Sequence, residues 1–104
     1  MALRWLTAAL ADLRGISAYI AEGNPGAAKR VIAHIHSETE ILKVQPNIGR
    51  VGRIPDTREL LISRYPYIVA YRERGADVQI LAVVHTSRRW PEQLPSVMLK
   101  VSDE

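Results

Sequence analysis

The chain has 104 residues, a formal net charge of +3 and no cysteine. That length fits one small domain spanning residues 1–104, and the missing cysteines exclude a disulfide framework, a thiolate metal site and a thiol nucleophile, as expected in a reducing cytoplasm. No run approaches a membrane span, and Met1-Ala2-Leu3-Arg4-Trp5 lacks the apolar stretch of a secretory signal, so a cytoplasmic protein with no membrane partner is expected.

Ala2 to Leu6 places Leu3 and Trp5 in alternation with Arg4, which suits a first strand or a lead-in to a helix. Thr7 has the side chain of an N-cap. Behind it Leu10, Leu13, Ile16 and Ile20 recur at helical spacing, and Gly15 weakens this helix without ending it. Gly23 is the natural C-cap, after which Asn24-Pro25 restarts the pattern as N-cap and first-turn proline. The second helix is predicted from about Pro25 to about Val44, with Ala28, Val31, Ile32, Ile35 and Leu42 as its apolar stripe, and Pro46 stops it. Two such helices with a turn of about three residues form an antiparallel helical hairpin.

His34-Ile35-His36 is not a metal pair, because residues two apart on a helix point in different directions. His34 with Glu38 supplies too few ligands for zinc. No metal and no cofactor is expected, and both histidines read as solvated.

Asn47 to Asp56 reads as a loop from its Gly, Pro and Asn content. It carries Arg50 and Arg53. Its glycines follow no strand and open no helix, so it is neither a phosphate-binding loop nor a dinucleotide fingerprint.

Three β-rich runs follow, Thr57 to Ser63, Tyr67 to Glu73 and Asp77 to His85, joined by connections short enough to demand antiparallel hairpins. Alternation sorts their faces. Leu60, Ile62, Tyr67, Val69, Tyr71, Val78, Ile80, Ala82 and Val84 form one face, which should meet the helices. Glu59, Leu61, Ser63, Ile68, Ala70, Arg72, Gln79, Leu81, Val83 and His85 form the other. Two helices cover one face of such a sheet. The second would keep an apolar centre at Leu61, Ile68, Leu81 and Val83, rimmed by Glu59, Arg72 and His85. A patch of that kind marks a binding surface. Alternatively the tail from Glu92 to Leu99 folds back over it as a short helix, using Leu94, Val97 and Met98.

Eleven of the fourteen basic residues are arginine, and residues 46–91 hold eight arginines against four acids. Arginine makes planar, multi-donor contacts to phosphate and carboxylate. The expected partner is anionic: a nucleic acid, an enzyme that handles one, or an acidic peptide. A solvated basic surface explains the same count.

The order strand, helical hairpin, three-stranded meander defines an α+β chain. Together with Asp12-Leu13, Tyr19-Ile20, Asn24-Pro25, Gly49-Arg50, Thr57-Arg58-Glu59-Leu60, Pro66-Tyr67-Ile68-Val69, Tyr71-Arg72 and His85-Thr86-Ser87-Arg88-Arg89-Trp90-Pro91, it resembles the RelE/ParE family of toxins from bacterial type II toxin–antitoxin pairs. The resemblance covers residues 1 to about 95. It implies a toxin neutralised by a cognate antitoxin, whose expected contacts are Leu61, Ile68, Arg72, Leu81 and Val83, beside a groove at the helices.

The family divides by activity. RelE-like members cleave messenger RNA in the ribosome, using basic residues on the open sheet face. ParE-like members poison DNA gyrase. Where the cleaving toxins place lysines on the first meander strand, this chain has Glu59 and Leu61; where they place an arginine on the next, it has Ile68. Cleaving a phosphodiester requires groups that stabilise a dianionic transition state, which leucine and isoleucine cannot do. If the chain were a nuclease, Arg72, His85 and Arg88 would remain, with His85 as acid–base and the arginines as phosphate clamps. The resemblance therefore favours a non-enzymatic toxin that binds gyrase through Arg50, Arg53, Arg58, Arg88, Arg89 and Trp90. A ribosome-dependent RNA endonuclease is the alternative, and a toxin-like interaction module a third class.

Overall fold

The structure is a computed structural model and describes residues 1–87. The expected contacts at Arg88, Arg89 and Trp90, and the tail helix from Glu92 to Leu99, lie outside the described residues. The chain opens as a strand, β1 (Ala2–Trp5), with Leu3 and Trp5 half-buried and Arg4 exposed. Arg4 pairs with Asp77 at 3.2 Å on the neighbouring strand.

Helix α1 (Thr7–Gly23) starts directly off that strand. Leu6, rather than Thr7, is its N-cap, and it makes no side-chain cap bond. The reason is local: Leu6 N–H still donates to Ile80 O of the sheet, while Leu6 O already accepts from Leu10 N–H. No residue is left over to act as a polar cap. The reversal into α2 (Pro25–Thr39) is also tighter than expected, with Asn24 alone between the helices. Its backbone N–H donates to Ile20 O and closes α1, and its Oδ1 accepts from Ala27 N–H at 3.0 Å and opens α2. One asparagine thus satisfies orphan groups of both helices. Gly23 is the last helical residue, not the cap.

Helix α2 stops at Thr39, five residues before the expected Val44, and tightens into a 3-10 turn over Glu40–Lys43. Leu42 stays buried in that turn. Lys43 O accepts a hydrogen bond from the N-terminal ammonium at 2.8 Å, which ties the turn to the start of β1.

The sheet has five strands in the order β1-β5-β4-β3-β2. β3 (Arg58–Leu61), β4 (Tyr67–Arg74) and β5 (Asp77–His85) form the expected antiparallel meander. β1 pairs parallel with β5, with the helices and the meander as the crossover. The loop after α2 is not all loop: Arg50–Val51 forms β2, antiparallel to β3 at the sheet edge.

Both helices lie on one face. Leu13, Val31, Ile35 and Leu42 pack over Val69, Tyr71, Val78, Ile80 and Val83. Each fully buried side chain of this size stabilises by roughly 1.5–3 kcal/mol.

One residue in β5 breaks the simple alternation. Tyr71 pairs with Ile80 and Ala70 with Ala82, so Leu81 is an extra residue, a β-bulge. A bulge reverses the faces of everything beyond it. Val83 therefore joins the helix-side core, and His85 pairs with Tyr67 on that same side. Ala82 and Val84 turn to the second face. The face assignment by alternation thus fails at these four residues. The second face is also not left uncovered: Ile68, Ala70, Arg72, Gln79, Leu81, Ala82 and Val84 are buried. Leu6, Ala8 and Ile54 pack against the cluster of Ala70, Leu81, Ala82 and Val84. Leu61 is the exception, 60% exposed.

Candidate functional site

Among the described residues, the most organised polar feature is the hairpin of β2 and β3, built around a buried carboxylate. Glu59 on β3 is 2% exposed. Arg50 lies opposite it on β2 and donates both Nε and Nη2 to Glu59 Oε1, at 3.2 and 3.0 Å. Arg53 N–H donates to Oε2 at 3.1 Å, and its guanidinium stands 4.0 Å from the same oxygen. Charge-assisted bonds of this kind are among the stronger ones in proteins. The carboxylate is enclosed, but the cations are not: the side chains of Arg50 and Arg53 are 55% and 49% exposed.

The loop between the two strands is shaped by close packing. Gly52 N–H donates to Thr57 O, and Thr57 Oγ1 donates to Ile54 O at 2.6 Å, with Asp56 at φ 65° completing the turn. At the other end Gly49 N–H donates to the Tyr71 hydroxyl at 2.8 Å. A Cβ on Gly49 would stand 2.6 Å from that hydroxyl oxygen and 2.9 Å from Glu59 O, so only glycine fits without a shift. Burial pushes the Tyr71 phenol above its ordinary pKa, against the opposing pull of Gly49 N–H and Arg58. Arg58 projects to the helix side and ties β3 back to the loop by donating from Nη1 to Gly49 O at 2.8 Å.

Of the residues considered for cleavage, Arg72 and His85 lie on opposite faces of the sheet, and Arg88 lies outside the described residues. Arg72 lies on the second face, buried, with Nε donating to Gln79 Oε1 at 2.8 Å. His85 lies on the helix side, its ring edge-on to Tyr67 at 5.4 Å and its Nδ1 accepting from Ser87 N–H at 3.1 Å. Along β4 their pairing positions, Arg72 itself and Tyr67, are five residues apart, about 16 Å at a strand's rise of ~3.3 Å per residue. Opposite faces and that spacing keep the two from acting on one phosphate. Of the residues expected to meet the antitoxin, Ile68, Arg72 and Leu81 are buried on the second face, Val83 is buried on the helix side, and Leu61 is open.

Of the two helix histidines, His34 is half-buried and engaged, whereas His36 is exposed, as expected. His34 Nε2 lies 2.9 Å from Ser63 O and 3.5 Å from Glu38 Oε2, and its ring meets Tyr65 edge-on. His36 packs against Trp5 at 4.9 Å. Ser63 N–H and hydroxyl both donate to Glu38, at 2.8 and 2.7 Å, clamping the β3–β4 turn onto α2. Burial opposes ionisation of Glu38, but the bonds from Ser63, with His34 and Arg64 nearby, hold its carboxyl below the ordinary value. No group of three or more metal-ligating side chains occurs among the described residues. No helix there is long and apolar enough to cross a membrane.

Sequence reasoning missed two parts of this arrangement. Glu59 read as a missing lysine rather than as the post for Arg50 and Arg53. The Ser63–Glu38 clamp joins residues 25 positions apart with no local signal. Gly49 gave the one available hint, a glycine inside an otherwise basic stretch.

The geometry can be set beside known proteins. Residues 3–90 match the family model described as "ParE toxin of type II toxin-antitoxin system, parDE". "Putative toxin Y4kP" of Sinorhizobium fredii is 45% identical over 92 residues, covering 88% of this chain and 95% of that protein. "Toxin RelE2" of Caulobacter vibrioides is 32% identical over 84 residues, covering 81% and 93%. A solved structure titled "Chromosomal ParDE TA system from P. aeruginosa" superposes with a TM-score of 0.77 at 28% identity, covering 84% of this chain and 97% of that one. The helical hairpin, the five-stranded sheet and these matches lead to one conclusion: the chain belongs to the ParE toxin family, within the RelE/ParE superfamily of type II toxins, whose members are paired with an antitoxin.

Proposed function

We propose that this toxin acts in the cytoplasm as a non-enzymatic inhibitor of DNA gyrase, held inactive by its cognate antitoxin. The carrying observation is the placement of Glu59. A buried carboxylate, committed to Arg50 and Arg53, occupies the strand where cleaving relatives carry lysines. Phosphodiester cleavage requires cations and a proton carrier focused on one phosphate. Here Arg72 is tied to Gln79 and His85 faces the other side of the sheet. The arginines that remain half-exposed, Arg50 and Arg53, sit on the hairpin edge, where they can grip a partner's surface. Binding is therefore better supported than cutting.

The test is supercoiling by purified gyrase in the presence of antitoxin-free toxin, alongside a translation reaction probed for transcript cleavage. Inhibition of supercoiling with intact transcripts is the expected result. Site-specific transcript cuts that need translating ribosomes, with gyrase unaffected, would replace this reading by RNA cleavage.

A further inference from the structure

β2 is the last strand of the sheet, with β3 on one side and no strand on the other among the described residues. In an antiparallel pair the bonded positions alternate. Gly52 N–H donates to Thr57 O, so Arg50 opposite Glu59 is again a bonded position, and the main chain of Val51 between them points to the free edge. The Val51 side chain is 79% exposed, and Arg50 beside it projects from the opposite face. The edge therefore presents an apolar side chain on one face, a cation on the other, and main-chain groups between.

The cation is held in place. Arg50 spends Nε and Nη2 on Glu59 Oε1 and makes no other hydrogen bond or ion pair among the described residues, so its Nη1 edge is left to face a partner. Arg53 holds the next turn of the same hairpin against the same carboxylate. Fixing a flexible guanidinium in advance lowers the entropy lost on binding. A phosphate backbone would use the arginines but would gain nothing from Val51, which is open. An extended protein segment that alternates acidic and apolar side chains would set its acids on the Arg50 face and its apolar groups on the Val51 face.

We infer that the β2 edge is a docking strip for an extended, alternately acidic and apolar segment of a partner protein, with Glu59 as the positioning residue for Arg50 and Arg53. This rests on the reading that the toxin works by binding a protein, and adds the chemistry of what is bound.

The test uses antitoxin-free full chain and a fluorescent synthetic peptide alternating glutamate and valine, read by anisotropy. The same peptide with glutamine for glutamate, and a single-stranded oligonucleotide of equal charge, serve as comparisons. The glutamate peptide should bind about tenfold or more tightly than the glutamine peptide, as loss of charge-assisted bonds requires. Glu59→Gln is the decisive variant. It makes the surface more positive, so charge alone would tighten binding of an acidic peptide, whereas loss of positioning weakens it several-fold. Arg50→Lys keeps charge and loses the paired donors, and it should weaken binding without unfolding the chain, which a thermal melt checks. Tighter binding by Glu59→Gln, equal binding of the two peptides, or preference for the oligonucleotide would each overturn the inference. Gyrase assays with the wild-type chain separate the two readings. Inhibition by a chain that does not bind the peptide would refute the strip and leave the proposed function standing, and peptide binding by a chain that leaves gyrase active would do the reverse.

Discussion

Glu59 shows how a single residue can be read two ways. As a residue type it marks the absence of a cation; in its place in the fold it fixes two. The pair is asymmetric, since the carboxylate is buried and the guanidinium of Arg50 is half-exposed. Arg50→Ala would remove one partner of an enclosed anion and should cost about 1–3 kcal/mol, less than for a fully buried pair because water screens the exposed partner. Glu59→Gln leaves its arginines free to hydrate and should cost less than Arg50→Ala. Urea unfolding of the two variants side by side measures that order. Gly49 gives a sharper steric expectation. Gly49→Ala forces a Cβ against the Tyr71 hydroxyl and the backbone of Glu59, and should destabilise by about 3 kcal/mol. Tyr71→Phe leaves the Gly49 N–H without its acceptor and should cost about 1–2 kcal/mol in the same measurement.

Single elements account for most of what could and could not be read in advance. Asn24-Pro25 was legible because capping is local chemistry: the side chain that satisfies the helix start is the residue itself. The meander was legible because short connections permit few pairings. The bulge at Leu81 was not, since no residue in Ile80-Leu81-Ala82 departs from strand composition. Only the pairing partner on β4 reveals the extra residue, and with it the side on which Val83 and His85 lie. β2 was hidden for a similar reason, as two residues cannot display a period. The clamp between α2 and the β3–β4 turn is sensitive to pH. A carboxyl held below its ordinary value stabilises the fold at pH above that ordinary value, and the contribution is lost as pH falls through the lowered one. Glu38→Gln should therefore lower the melting temperature near about pH 7 and converge with wild type well below the ordinary glutamate value of ~4.3. An equal difference at both ends of that range would show that the clamp does not depend on the charge.

For the molecule as a whole, the fold places Arg72 and His85 on opposite faces of the sheet. Helices cover one face, the other is largely buried, and the half-exposed arginines of the hairpin stand at the edge of the sheet. The fold class followed from sequence, but its consequence for function did not, because it depends on which side of the sheet each cation reaches. The measurement that tests this most directly is supercoiling of relaxed plasmid by purified gyrase, titrated with antitoxin-free toxin. Supercoiling should fall as toxin is added and recover when the cognate antitoxin is supplied. Full gyrase activity at saturating toxin would contradict the account.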